Sequence, residues 1–263
     1  MTSSNVSGFD RPITAVVQGA SRGLGLAFVR ELLKCSNVEA VLATCRSPKS
    51  AAELQSLAEE YPRRLTITTL NLIDENSIAE AASVAHETIE SVDLLLNVAG
   101  VLHDEEREMG PEKKLDDVEP TSVLHSFRVN SLGPLLVIKH FKPLLRNRER
   151  AVIANLSARV GSIGDNHLGG WYAYRASKAA QNMFTRTAAI ELGRYRRTAE
   201  SICVALHPGT VDTDLSRPFQ SNVPDSQLFS TDRAARQLLD VVGDLKKEDT
   251  GTFFDWAGKS IEW

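Results

Sequence analysis

The chain has 263 residues, 42% hydrophobic and 24% charged, with a net charge of −4. That balance excludes a largely disordered chain, and Lys and Arg interleaved with Asp and Glu leave no basic field of the size that nucleic acid requires. The cysteines, Cys35, Cys45 and Cys203, are odd in number and widely spaced, which excludes a disulfide framework and a zinc-ligand pattern.

Residues 1–12 are polar and read as a flexible N-terminus without an apolar leader. Strand-like and helix-like runs then alternate. Ile13–Val17 is β-branched and stops at Gln18-Gly19; Leu24–Leu33 places Leu26, Val29, Leu32 and Leu33 on one helical face. Ala40–Thr44 is a second strand, Ala51–Glu60 a helix, Leu65–Leu70 a third strand, Ser77–Ile89 a helix and Asp93–Asn97 a fourth strand. Residues His103–Pro120 are acidic and poor in apolar positions, and read as a solvated loop without chemistry. Thr121–Leu145 reads as a long helix with a kink or break at Gly133-Pro134. Ala151–Leu156 (strand), Trp171–Gly193 (helix), Ser201–Leu206 (strand), Thr231–Leu245 (helix) and Gly251–Phe254 (strand) complete the series. Strand–helix alternation with strands apolar throughout predicts an α/β chain whose parallel sheet is covered by helices on both faces. No run approaches the ~20 apolar residues of a membrane span. With the cysteine pattern, this gives the expectation of a cytoplasmic protein without membrane contact.

Gln18-Gly19-Ala20-Ser21-Arg22-Gly23-Leu24-Gly25 joins the first strand to the first helix. Glycines at such a turn let the backbone approach phosphate while the helix N-terminus offers free N–H groups. Tyr174 and Lys178 are four residues apart in a helical segment and share one face. An ammonium beside a phenol favours the phenolate, so this pair is a candidate general acid/base. The six histidines have no ligand spacing, and no metal is expected; Met109 and Met183 read as packing residues.

The order of these motifs resembles the short-chain dehydrogenase/reductase family, and within it the C-factor-like and sniffer-like carbonyl reductases. Gly19, Gly23 and Gly25 match the family's G-x3-G-x-G loop, with Gln18 in place of the usual Thr. Asn97-Val98-Ala99-Gly100, Asn130, Tyr174-x3-Lys178 and Pro208-Gly209-x-Val211-x-Thr213 follow in order, as do Ala43-Thr44-Cys45-Arg46 and Gly161–Asn166. The resemblance implies a single Rossmann-like domain over residues 1–263, doubly wound, with about seven parallel strands. It implies an oxidoreductase passing hydride between nicotinamide and a carbonyl or alcohol. Tyr174 is then the acid, Lys178 its tuner and holder of the ribose, and Asn130 the anchor of a water relay. Ser21, Leu24, Asn97, Ala99 and Gly100 belong to the cofactor cradle, and Pro208, Gly209, Val211 and Thr213 to the nicotinamide grip.

At the second strand's tip, Cys45 stands where NAD-dependent relatives carry an acid, and Arg46 and Arg22 suit a 2′-phosphate, so NADP(H) is expected. Asn71-Leu72 departs from the usual Asp before Val or Leu; Asn keeps an acceptor for adenine. The family's catalytic Ser aligns with Ala158. Ser157 is the first candidate to replace it and Ser162 the second. The same gap leaves open a non-catalytic nucleotide-binding or signalling protein on this fold. Asp214–Ser230, with Phe219, Val223 and Leu228, reads as a substrate lid. A small-molecule partner and a homodimer or homotetramer through the long helices complete what the resemblance implies.

Overall fold

The apolar strands assemble side by side in the computed structural model, which describes residues 5–146 and 149–263. In chain order the elements are β1 (Ile13–Gln18), α1 (Gly23–Lys34), β2 (Val38–Cys45), α2 (Ala52–Glu60), β3 (Leu65–Thr69), α3 (Glu75–Thr88), β4 (Leu94–Asn97) and α4 (Pro120–Phe127). They continue with α5 (Gly133–Phe141), β5 (Ala151–Leu156), α6 (Tyr172–Arg194), β6 (Ser201–His207), β7 (Thr210–Val211), β8 (Leu228–Phe229), α7 (Thr231–Asp244) and β9 (Phe253–Asp255). The central sheet has seven strands in the order β3-β2-β1-β4-β5-β6-β9, and every pair is parallel. The chain winds outward from β1 to β3, then returns to β4 on the other side of β1. That reversal opens a crevice at the carboxyl ends of β1 and β4, where Gln18 lies in register with Asn97.

Period-two alternation sends neighbouring residues to opposite faces, and both faces are dry. Val17, Leu96 and Val152 pack with Phe28 and Leu32 of α1 and Leu238 and Val242 of α7. Val16, Leu95 and Ile153 pack with Ile78 of α3 and Val137 and Phe141 of α5. Burying each such side chain contributes about 1.5–3 kcal/mol. No helix among the described residues is long and apolar enough to cross a membrane.

The fold departs from the sequence reading in three places. Residues 1–4 lie outside the described residues, but the rest of the expected flexible N-terminus is packed: Val6 and Phe9 are buried. The Asn37 side chain accepts from Val6 N–H (2.9 Å) and donates to the Val6 and Phe9 carbonyls. The helix expected over Thr121–Leu145, with its kink or break at Gly133-Pro134, is interrupted just before that point. A π-helical turn, Arg128–Leu132, separates α4 from α5, and a 3-10 turn, Lys142–Leu144, ends the segment. Pro134 has no N–H for the Asn130 carbonyl, so the α-helical ladder cannot run through this point; widened turns of this kind recur at functional sites. The two-residue strands β7 and β8 pair parallel and tie the end of the Asp214–Ser230 segment back to its start.

Candidate active site

The turn after β1 can be built only from glycine. Gly19 has φ +86°, and a Cβ there would lie 2.7 Å from the Ala99 nitrogen; one on Gly25 would lie 2.0 Å from the Gly19 carbonyl oxygen. Helix α1 starts at this turn with no side-chain cap and no acid in its first turn. Its leading N–H groups and dipole therefore face the crevice without a side-chain acceptor, the condition for binding an anion. Gln18, the departure from the usual Thr, accepts from Ala99 N–H through Oε1 at 3.2 Å and so joins the turn to the loop after β4. Ser21 and Leu24 sit half-buried along the same turn.

The two arginines expected to face a 2′-phosphate have different surroundings. Arg46 is exposed just beyond β2, and Cys45 beside it is buried, with its thiol pushed up by burial. Arg22 instead pairs with Asp214 at 3.3 Å, and Asp214 also holds Arg217 at 2.6 Å. Beyond β3, the Asn71 side-chain oxygen accepts from Ile73 N–H (3.3 Å), while Leu72 packs on the start of α5: a Cβ on Gly133 would lie 2.7 Å from Leu72 Cβ.

At the end of β4, Asn97 donates to Asn155 Oδ1 (2.7 Å), and Asn155 donates to Thr185 Oγ1 of α6 (2.9 Å). Asn97 Oδ1 is buried and has no hydrogen-bond partner. A Cβ on Gly100 would stand 3.2 Å from Asn130 Oδ1 and 3.6 Å from Lys178 Nζ, which places the loop after β4 close against both side chains. Asn130, fully buried in the π-helical turn, accepts from Val101 N–H (2.7 Å) and donates to the Val101 carbonyl (2.8 Å) and Ser177 Oγ (3.0 Å). Its side chain holds the β4 loop to α6.

Tyr174 and Lys178 are buried on one face of α6. The Lys178 ammonium stands 5.9 Å from the Tyr174 ring centroid and donates to the Leu156 carbonyl (2.7 Å) and Gln181 Oε1 (2.9 Å). Burial pushes the Tyr174 phenol above its usual range and lowers Lys178 to about 7. Loss of hydration thus moves the phenol in the direction opposite to the one expected from a neighbouring ammonium. A phenol that keeps its proton at neutral pH is equipped to donate it.

Ala158 is extended at the end of β5. Ser157, expected to replace the missing hydroxyl, does not: its single proton goes to Asn182 Oδ1 at 2.6 Å, buried on the α6 side of the strand. Ser162 accepts from Asp165 N–H (3.1 Å) and lines a groove of about 430 Å³ with Tyr172, Arg175, Ala176 and Ala179. Those residues occupy a different face of α6 from Tyr174 and Lys178.

Beyond β6, Gly209 has φ +77°, and a Cβ there would meet the Phe229 ring at 2.7 Å. Pro208-Gly209 leads into β7, where Val211 is buried, and the Thr213 hydroxyl donates to the Val211 carbonyl at 3.4 Å. A Cβ on Gly23 would lie 3.3 Å from Thr213 Cγ2, which brings the two loops together across the crevice. Within the expected lid, Phe219 lies 5.0 Å from the Trp171 ring, and Trp171 lies 6.2 Å from Tyr174. Trp171 and Gln181 were missed in sequence. The i+3 spacing from Lys178 carried a signal for Gln181; for Trp171, only adjacency to the Tyr174 helix did. Among the described residues, no group of three or more His, Cys, Asp or Glu side chains could hold a metal ion.

The short chain dehydrogenase family model matches residues 13–224. The NADPH-bound carbonyl reductase from chicken fatty liver superposes with a TM-score of 0.84 at 35% identity, covering 96% of this chain and all of that one. The carbonyl reductase Sniffer of D. melanogaster gives a TM-score of 0.83 at 26% identity over 96% of this chain and all of that one. The C-signal protein of Myxococcus xanthus is 37% identical over 172 residues, 65% of this chain and 93% of that protein. The doubly wound sheet, the glycine turn and the Tyr–Lys helix thus have their explanation in descent: the chain belongs to the short chain dehydrogenase family.

Proposed function

We propose that the protein is an NADP(H)-dependent oxidoreductase of the carbonyl reductase type. The observation that carries this reading is the buried Tyr174–Lys178 pair, 5.9 Å from ring centroid to ammonium, set beside a turn that only glycine can form. Gly19, Ser21, Arg22, Gly23, Leu24 and Gly25, with the N-terminus of α1, hold the pyrophosphate. Arg46 takes the 2′-phosphate, Asn71 and Leu72 border the adenine, and Asn97, Ala99 and Gly100 line the path to Lys178. Pro208, Gly209, Val211 and Thr213 hold the nicotinamide end. Bound NADPH supplies the hydride.

Tyr174 donates its proton to the oxygen of the substrate carbonyl as negative charge grows there, and an alcohol results. Burial keeps that proton on the phenol until the carbonyl oxygen becomes basic enough to take it. Lys178 then stabilises the phenolate left behind. Asn130 fixes the distance between the β4 loop and α6, and so the width of the site. The substrate is a small carbonyl or alcohol compound, and the net charge of −4 speaks against a nucleic-acid partner. A homodimer or homotetramer is supported by Leu124, Leu132, Met183 and Ile190, all exposed on α6 and on the α4–α5 segment beside it. A cytoplasmic location is supported by three cysteines that are odd in number and too widely spaced for a disulfide framework.

The test is NADPH oxidation with a panel of ketones, aldehydes and quinones, for the wild type and Tyr174→Phe. The variant should bind NADPH normally by calorimetry and lose about 10²-fold or more in turnover, the scale of a lost general acid. A wild type that binds NADPH and reduces nothing in the panel, or a variant with near-full turnover, overturns the reading.

A further inference from the structure

Trp171, the residue before α6, holds a left-handed backbone (φ 53°, ψ 43°). Gly169 and Gly170 before it are left-handed as well, at φ 66° and 65°. A bulky side chain adopts that conformation only where its surroundings impose it. Two side chains supply the constraint. Arg175 donates to the Gly169 and Gly170 carbonyls (3.2 and 3.0 Å) and to the Val160 carbonyl (3.3 Å). Glu112 comes from the loop between β4 and α4. Its carbonyl accepts from Trp171 N–H at 2.6 Å, and its two carboxylate oxygens accept from Ala173 N–H at 3.3 and 3.2 Å.

Glu112 is only 4% exposed, in a segment otherwise rich in solvated charge. Trp171 has no side-chain oxygen to cap α6, and the first turn of α6 holds no acid. Glu112 therefore supplies both the missing acceptor and the negative charge that a helix N-terminus favours.

The clamped turn determines where the indole goes. It stands edge-on to Tyr174 (6.2 Å, 72°) and tilted against Phe219 (5.0 Å, 56°), and Phe219 in turn meets His103 (6.1 Å, 64°). His103 Nε2 lies 3.1 Å from the Asp214 carbonyl, at the start of the Phe219 segment. Trp171, Phe219 and His103 are each half-buried, so the row is not closed off by protein.

We propose that Glu112 is a positioning residue that holds Trp171 as the substrate-facing wall beside Tyr174, so that Trp171 selects for a flat apolar substituent on the carbonyl. This rests on the reading of Tyr174 as the proton donor. Glu112 touches neither Tyr174 nor the lid directly; it acts through the Trp171 backbone and the first turn of α6.

The experiment compares Glu112→Ala, Glu112→Asp, Glu112→Gln and Trp171→Ala using an aryl aldehyde and a small aliphatic aldehyde. Trp171 emission is followed in a Trp256→Phe/Trp263→Phe background. Glu112→Ala should raise KM for the aryl aldehyde by about tenfold or more, the scale of a lost apolar contact, and leave the aliphatic aldehyde within about twofold. Trp171→Ala should reproduce that split, and adding Glu112→Ala to it should change nothing further. Glu112→Gln keeps an acceptor for Ala173 N–H and should restore the wild-type split and emission. If Glu112→Ala does not fold, Glu112→Asp, whose acceptor is one methylene short, takes its place with the same expected direction. A uniform fall in kcat on both aldehydes, or Trp171 emission unchanged in Glu112→Ala or Glu112→Asp, overturns the proposal. If the wild type reduces neither aldehyde while Trp171 emission moves as expected, the clamp stands, and it is the proton-donor reading and the substrate role that fail.

Discussion

Replacing Lys178 with methionine removes a buried amine and leaves a side chain of similar length in its place. In the unfolded chain the amine titrates near its ordinary 10.5, and in the folded protein burial lowers it to about 7. Below about pH 7 the amine is protonated in both states, so the cost of burying the ammonium is fully present and does not change with pH. Between those two values the unfolded chain binds a proton that the folded protein does not. Stability therefore rises with pH, by up to about tenfold per unit in the folding equilibrium. Lys178→Met lacks this contribution. The wild-type stability minus that of the variant should be flat from about pH 5.5 to 6.5, then grow by about 2 kcal/mol from about pH 7.5 to 9. Losing the donations to the Leu156 carbonyl and Gln181 Oε1 offsets one curve from the other and leaves the slope unchanged. Urea unfolding of the cofactor-free protein at each pH measures the difference. Parallel curves across the upper range would refute the argument, because Lys178 would then keep its ordinary value despite complete burial.

Arg46→Asp should remove the preference for NADPH over NADH, a change of about 1.5–3 kcal/mol for one charge-assisted contact, read by calorimetry with each cofactor; an undiminished preference would place the 2′-phosphate elsewhere. Ser157→Ala should leave kcat within about twofold while lowering stability by about 1–2 kcal/mol, because its hydroxyl serves Asn182 and not the crevice. A large loss of turnover with unchanged stability would return Ser157 to the reaction.

What was legible in sequence follows the range of the interaction. Strand-like runs marked all seven strands of the central sheet; in the inner strands burial on both faces leaves a continuous apolar signal, as at Val16-Val17 and Leu94–Leu96, while edge strand β3 alternates and is only partly buried. The glycine turn was legible where its constraint is local: Gly25 must clear the Gly19 carbonyl six residues back, and Gly19 holds a positive φ, while its close approach to Ala99 comes from 80 residues on. The direction of Ser157 was not legible, since its partner Asn182 lies 25 residues on and on a different element. Glu112 was hidden for the same reason: its carboxylate serves Ala173, 61 residues away, while its neighbours look like any solvated loop. Pro134 did announce an interruption, but whether the chain would kink or widen into a π-helical turn depended on Asn130 reaching Val101, a tertiary contact.

Ala158 gives these long-range contacts their weight. On the reading of Tyr174 as donor, the carbonyl oxygen meets one strong side-chain donor where relatives offer two, since Ser157 is committed to Asn182. A lone donor is more effective the drier its surroundings, because a hydrogen bond strengthens as the local dielectric falls. Tyr174 and Lys178 are both buried on α6, at 8% and 3% exposure. The same burial that raises the Tyr174 phenol keeps it protonated until the substrate oxygen carries charge. On that reading the burial of Tyr174 stands where the family resemblance implies a second hydroxyl. The clamp on Trp171 then acts on which substituent the site accepts, and the proton transfer rests on Tyr174.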